Sequence, residues 1–176
     1  MIGAEYMKVS IMAYFRFKRR CPYVASEVDT GFLPRRADVL VGDQKMTKVV
    51  EIEVKLNKAD LHADFKKKNW KHKYYKNGGH IGPTHFYFAF PSNVNFLSDG
   101  IIPREYGVII VDPGKYWLKD DLSVGTCRII KRAKKLPNDC QMELMLWSIL
   151  KRMASESIHL KAEKEAGIWS RNEIPR

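Results

Sequence analysis

Apolar residues in the first half of the chain form short runs, most of them separated by polar turns. Residues 5–19 carry dense apolar positions without strict alternation and contain no Gly or Pro, which predicts a largely buried helix. We expect this helix to end near Cys21, because the residue before Pro22 is disfavoured in helical geometry. Three β-prone segments follow, YVASEVDTGF, ADVLVG and KVVEIEVK, with turn-like residues between them. They predict a meander of three strands.

A second helix and further strands are predicted beyond the meander. The chain from Lys58 to Lys76 has no Gly or Pro, Asn57 is placed as an N-cap, and lysines accumulate toward the end of the segment. The segments THFYFAFP and YGVIIVD are nearly continuously apolar and predict buried strands. TCRIIK is a candidate for one more strand, and a helix from Asn138 carries an apolar stripe that indicates core packing. The stripe consists of Met142, Met145, Leu146, Ile149, Leu150 and Met153.

These elements predict an α/β fold with a central mixed β-sheet flanked by helices, in the order α-β-β-β-α-β-β-α. We expect one domain over residues 1–176, with a core at about 5–112, a strand and helical extension at about 113–166 and a loose tail at 167–176. No apolar run approaches the ~20 residues that a membrane-spanning helix needs. The opening MIGAEYMK also lacks the apolar core of a secretory signal. We therefore expect a cytoplasmic protein without a membrane partner.

Composition adds an expectation about partners. The 31 Lys and Arg residues outnumber the 20 Asp and Glu residues, so the net charge is +11. Such an excess attracts polyanions, nucleic acid among them. A basic protein without any such partner would have the same charge, so charge alone does not decide the function. The three cysteines are odd in number and scattered, which indicates neither a disulfide framework nor a cysteine zinc site.

The hairpin at residues 36–55 carries charge where a core hairpin would be apolar. Because side chains alternate along a strand, Glu51, Glu53 and Lys55 share one face of the third strand, and apolar residues occupy the other. Asp38 on the preceding strand can lie beside them on the same face. A solvent-facing strand of alternating Glu and Lys would show this pattern without any function.

Two neighbouring carboxylates repel each other, and a divalent cation with hard oxygen ligands is a stable reason to place them together. A lysine on the same face can orient an attacking water or stabilise charge on a phosphate. The set is thus suited to phosphodiester hydrolysis. On the following helix, Asp64, Lys68, Lys71 and Tyr75 fall near one stripe that could face a phosphate backbone. A solvated lysine face is the alternative interpretation.

Glu27, Asp38 and the tripeptide Glu53-Val54-Lys55, placed within helix, three-strand meander, helix and strand, resemble the PD-(D/E)XK nuclease superfamily. RRADVLV, VVEIEVKLNKADLHADFKKKNW and HFYFAFP, in this order, resemble its MmcB-like DNA-repair family. One departure is Ala37, which stands where the motif has its proline. The resemblance covers residues 20–95 and implies a restriction-endonuclease-like core.

The resemblance implies a deoxyribonuclease that depends on Mg²⁺ or Mn²⁺ and acts in DNA repair, recombination or phage-type DNA processing. Asp38, Glu53 and the backbone carbonyl of Val54 would hold the metal, Lys55 would be the catalytic lysine, and Glu27 would assist as an extra acidic residue. Small members of the superfamily often pair, so a homodimer is an open expectation. The residues expected to contact nucleic acid are Arg35, Arg36, Lys66, Lys67, Lys68 and Lys71.

Two alternatives from other classes remain open from the residues alone. The same fold could belong to a non-cleaving DNA-binding or repair accessory protein, although the intact Asp, Glu and Lys argue against this. A basic RNA-binding domain with a solvent-exposed ionic hairpin is the third interpretation, but the chain has no recognised RNA-binding motif.

Overall fold

The computed structural model describes residues 3–30, 36–45, 47–78, 81–94, 100–119, 122–138 and 142–172. The first helix continues directly into a π-helical turn, Tyr14–Lys18. Among the described residues, six strands and three further helices follow it. The elements are α1 (Ala4–Ala13), β1 (Tyr23–Asp29), β2 (Arg36–Gly42), β3 (Val49–Val54), α2 (Lys58–Lys67), α3 (Asn69–Asn77), β4 (His85–Pro91), β5 (Gly107–Lys119), β6 (Leu122–Lys131) and α4 (Met142–Asn172).

The six strands form one mixed sheet in the order β1-β2-β3-β4-β5-β6. The first three strands are an antiparallel meander, β4 and β5 run parallel to β3, and β6 returns antiparallel to β5. Parallel neighbours need a crossover, and α2 with α3 provides it between β3 and β4. The predicted mixed sheet flanked by helices is confirmed, and so is its opening meander.

Helices cover both faces of the sheet. Under α1, Met7 and Ile11 pack against Val39 and Ile52 of the central strands. On the other face, α2 and α3 cover an aromatic cluster built around Phe86 and contributed largely by β4 and β5. Because β2 and β3 are antiparallel, the beginning of β2 lies beside the end of β3.

The helix predicted from Lys58 is in fact two helices. It begins as expected, because the Asn57 Oδ1 atom accepts the backbone N–H of Asp60 at 2.8 Å. It is interrupted at Lys68, whose φ of −108° and ψ of 26° leave the helical range. The prediction of one continuous helix is therefore wrong. The segment has no Gly or Pro that would signal the break, so the sequence pattern does not indicate it.

The C-terminal region differs from the expectation in two ways. Helix α4 extends to Asn172, so residues 167–172 are helical rather than a loose tail. Residues 142–174 contain no proline that would end the helix earlier. The remaining tail residues, 173–176, lie outside the described part of the chain. Of the apolar stripe, Met145 and Ile149 are buried against β1 and β2, whereas Leu150 is exposed. Within the described residues, no helix is both long enough and apolar enough to cross a bilayer.

Candidate active site

A cleft of about 380 Å³ opens where β3 ends, between the N-terminal end of α1 and helix α2. Strand β2 contributes Asp38 to its wall, and the end of β3 contributes Glu53, Val54 and Lys55. The structure thus brings the central residues of the predicted site into one cleft.

Strand register places the two carboxylates side by side. Leu40 pairs with Glu51 in the antiparallel ladder between β2 and β3. Asp38 and Glu53, each two residues further from this pair, therefore share a face. The backbone N–H of Val54 donates to Asp38 Oδ2 at 2.7 Å, which fixes the Asp38 carboxylate at the cleft.

Glu53 is buried and surrounded by three ammonium groups. Its Oε1 atom accepts from Lys55 at 3.1 Å and from Lys68 at 2.5 Å, and its Oε2 atom accepts from Lys71 at 3.0 Å. Burial alone would raise the pKa of Glu53, but the three lysines outweigh it and hold the pKa at about 2. Glu53 is therefore ionised at neutral pH.

A chain of hydrogen bonds leads from Lys55 into the core. The Lys55 ammonium donates to Asp64 Oδ1 at 2.7 Å, and Asp64 Oδ2 lies 3.0 Å from Nε2 of His72. The other ring nitrogen of His72 lies 3.0 Å from the hydroxyl of Tyr106. Burial lowers the pKa of His72, so the neutral ring donates to Asp64 and accepts from Tyr106. Burial would raise the pKa of Asp64, but the His72 and Lys55 hydrogen bonds hold it well below its usual range.

Asp38 has the opposite electrostatic character. Burial and the nearby charge of Glu53 raise the pKa of Asp38 to about 6, although the Val54 N–H lowers it. An ionised Asp38 is thus costly in this environment, because it is partly desolvated and faces a like charge. A cation between Asp38 and Glu53 would remove this cost.

The donor set fits a hard divalent cation. Carboxylate oxygens are the ligands that Mg²⁺ and Mn²⁺ take in proteins, and Mg²⁺ commonly uses one or two of them with several waters. Among the described residues, no group of three or more His, Cys, Asp or Glu side chains converges on one metal position. A cation here would therefore rely on Asp38 and Glu53, with Val54 in the same cleft wall.

Glu27 lies on β1 at the margin of this site. Its carboxylate contacts the ammonium of Lys8, a buried residue of α1 that lines the cleft. The charge of Glu27 also adds to the raised pKa of Asp38, so it acts on the cleft electrostatically. Its φ of +52° is unusual for a non-glycine residue and indicates local backbone strain.

The expected nucleic-acid contacts divide into exposed and buried residues. Arg36, Lys66 and Lys67 are exposed. Lys71 is fully buried between Glu51 and Glu53 and lies 4.6 Å from the ring centre of Phe86, so the expectation that it contacts nucleic acid is wrong for this structure. Lys68 is partly exposed, and its ammonium contacts the carboxylates of Glu53 and Asp64. Arg35 lies outside the described residues.

The alternative interpretation, a solvent-facing strand of alternating Glu and Lys, is also wrong. Glu51, Glu53 and Lys55 are all buried, because α2 and α3 cover this face of β3. The ionic face is therefore an enclosed cluster of charges and not a solubilising surface.

Sequence reasoning missed the roles of Asp64, His72 and Lys8. A signal for Asp64 was present, because it shares a helical stripe with the apolar Leu61, and a charge on a buried stripe needs a buried partner. Lys8 gave a similar signal, because the apolar Ile11 and Met12 lie three and four residues after it in a helix predicted to be largely buried. The contact between His72 and Tyr106 joins residues far apart in the chain, and no local pattern indicates it.

Comparison with known proteins supports the fold. No protein-family model matches the chain, and no curated protein matches it. A solved structure, the SPO1766 protein of unknown function from Silicibacter pomeroyi, is similar with a TM-score of 0.65 at 14% sequence identity. The match covers 93% of this chain and 94% of that chain. At this identity the similarity shows a shared α/β fold alone.

Proposed function

We propose that the protein is a nuclease that depends on Mg²⁺ or Mn²⁺ and hydrolyses phosphodiester bonds in DNA. The observation that carries the proposal is the pairing of Asp38 and Glu53 in one cleft beside Lys55. The raised pKa of Asp38 means that its ionised form is unfavourable there. Stability alone does not explain such a pairing, whereas a bound divalent cation does.

Each residue of the cleft has a role in this proposal. A cation held by Asp38 and Glu53 would polarise the phosphate and lower the pKa of a bound water. The Lys55 ammonium, held by Glu53 and Asp64, would donate hydrogen bonds to charge that develops on the phosphate. Asp64 acts as a positioning residue for Lys55, and neutral His72 in turn orients Asp64.

Charge and sequence resemblance support DNA as the substrate. The net charge of +11 and the exposed Arg36, Lys66 and Lys67 favour binding to a polyanion. The resemblance of residues 20–95 to the MmcB-like DNA-repair family favours DNA and a role in DNA repair, recombination or phage-type processing.

Cleavage of labelled single-stranded, duplex and branched DNA tests the proposal. The assay compares wild type, Lys55→Ala and Lys76→Ala in Mg²⁺, Mn²⁺ or EDTA, and Lys76 serves as the control because it is an exposed lysine on α3. We expect cleavage only with metal, a loss on the order of 10²-fold or more in Lys55→Ala, and little change in Lys76→Ala. If folded wild type binds DNA but cuts no substrate in either metal, the non-cleaving DNA-binding alternative replaces the proposal.

A further inference from the structure

Lys68 lies at the break between α2 and α3 and reaches into the carboxylate cluster. Its ammonium contacts Glu53 Oε1 at 2.5 Å and Asp64 Oδ1 at 3.1 Å. The Lys68 side chain is 36% exposed, whereas those of Lys55 and Lys71 are 10% and 0% exposed. Of these three lysines on Glu53, Lys68 therefore has the most open path to solvent.

Lysines contact both oxygens of the Glu53 carboxylate. Lys55 and Lys68 share Oε1, and Lys71 contacts Oε2. A cation that binds Glu53 in the cleft must therefore compete with an ammonium group for an oxygen. Lys55 is enclosed and held by Asp64 at 2.7 Å, so Lys68 is the ammonium that can leave.

Charge balance leads to the same residue. Four carboxylates, those of Asp38, Glu51, Glu53 and Asp64, lie among the ammonium groups of three lysines. If a divalent cation joined this cluster without any other change, positive charge would be in excess in a poorly solvated space. Departure of one ammonium restores neutrality, which favours exchange of the cation for Lys68.

We propose that Lys68 is an internal counter-ion, which occupies Glu53 in the metal-free protein and leaves when a divalent cation binds. The inference rests on the proposed function, because it takes the cation site at Asp38 and Glu53 as given. Once released, the Lys68 ammonium lies at the cleft beside the exposed Lys67, where it is available to a phosphate of bound nucleic acid. Cation and nucleic acid would then bind with positive coupling through one side chain.

Calorimetric titration of Mn²⁺ and Mg²⁺ into the full chain tests the inference. The variant is Lys68→Gln, and the matched control is Lys67→Gln, which removes the same charge from the same cleft wall. We expect Lys68→Gln to bind the cations at least about tenfold more tightly than wild type, because its ammonium no longer competes. Lys67→Gln should stay within roughly twofold, since its charge is exposed and screened.

The outcomes separate this inference from the proposed function. Equal affinities in Lys68→Gln and Lys67→Gln, with binding abolished by Asp38→Asn, would overturn the counter-ion role and leave the metal site standing. Absence of metal binding in wild type and in Lys68→Gln would overturn both. Weaker binding by Lys68→Gln, when its thermal unfolding matches wild type, would make Lys68 a support of the site and contradict the inference.

Acylation of lysines in the wild-type protein gives an independent readout. Mass spectrometry follows the rates at which an acetylating reagent modifies Lys68 and Lys67, with and without saturating Mn²⁺. We expect Mn²⁺ to speed modification of Lys68 relative to Lys67, and this change should be absent in Asp38→Asn. An unchanged or slower rate at Lys68, while calorimetry shows the cation bound, would overturn the proposal.

Discussion

The two faces of strand β3 are buried to a similar extent by opposite chemistry. Val50 and Ile52 are 4% and 0% exposed in the apolar core under α1. Glu51 and Glu53, on the other face, are 0% and 3% exposed and contact Lys71. The apolar face gains free energy from burial directly, whereas the ionic face first loses the hydration of every charge it encloses. Apolar residues in place of the ionic face would often be as stable or more so, which supports the proposed function.

Removal of Lys71 should reveal this difference most strongly. Lys71→Met would leave Glu51 and Glu53 without their shared partner, and we expect the free energy of unfolding to fall by about 3–5 kcal/mol. Urea denaturation measures the loss, with Lys73→Met as the control because Lys73 is exposed on the same helix. A loss below about 1 kcal/mol would mean that the ionic face does not depend on paired charges.

The apolar face should respond in a simpler way. Ile52→Ala leaves a cavity under α1, and we expect a loss of about 3 kcal/mol. The loss should be the same with or without Mg²⁺ in the same denaturation experiment, since the side chain faces away from the cleft. A cost that changes with Mg²⁺ would show that the two faces are coupled.

Asp38 should show the stability cost of the site as a pH dependence. Its pKa in the folded protein is about 6 against an ordinary value of 3.8, so the folded state holds this proton more tightly than the unfolded state. Stability is therefore lost as pH rises from about 4 to about 6. We expect Asp38→Asn to be more stable than wild type by about 1–2 kcal/mol at pH 8, and the two proteins to converge near pH 4.

Thermal unfolding at several pH values measures this difference. Saturating Mg²⁺ should raise the melting temperature of wild type at pH 8 but not that of Asp38→Asn, because the cation relieves a repulsion that the variant lacks. If Asp38→Asn were less stable than wild type at pH 8 without metal, this would contradict the claim that an ionised Asp38 destabilises the folded protein.

The smallest stability effects should occur at Lys66 and Lys67. Both are exposed, so Lys66→Gln and Lys67→Gln should change the free energy of unfolding by less than about 0.5 kcal/mol. Each should instead reduce the log–log slope of duplex DNA affinity against salt concentration by about 0.9 for each phosphate that the lysine neutralises. Fluorescence anisotropy over a range of salt concentrations measures the slopes. Unchanged slopes in both variants would place the nucleic-acid surface elsewhere.

Strand alternation was sufficient to predict that Asp38, Glu53 and Lys55 lie together. A period of two places Glu53 and Lys55 on one face, and the short turn after Gly42 brings Asp38 beside them. The same reasoning misjudged Lys71, because a helical stripe of charge is the same in sequence whether it meets water or a buried carboxylate. Only the packing of α3 on β3 decides whether the stripe meets water or a carboxylate, and that packing depends on contacts distant in sequence.

The margins of the site were beyond local patterns. The left-handed backbone of Glu27 has no marker such as glycine, and its contact with Lys8 joins β1 to α1. The break at Lys68 occurs without Gly or Pro, in a segment where the lysine reaches back to Glu53 and Asp64. In both cases an ion pair between distant residues accompanies an unusual backbone conformation, which the secondary-structure propensities of the residues do not predict.

The most direct test of the central claim is a crystal structure of the protein with Mn²⁺, with the cation located by its anomalous scattering. A cation site on the ionic face of β3 predicts an anomalous peak in contact with carboxylate oxygens of Asp38 and Glu53, and the Lys68 ammonium displaced from Glu53. The contradicting result is a cleft without an anomalous peak at saturating Mn²⁺, with Lys68 still bound to Glu53 and Asp64.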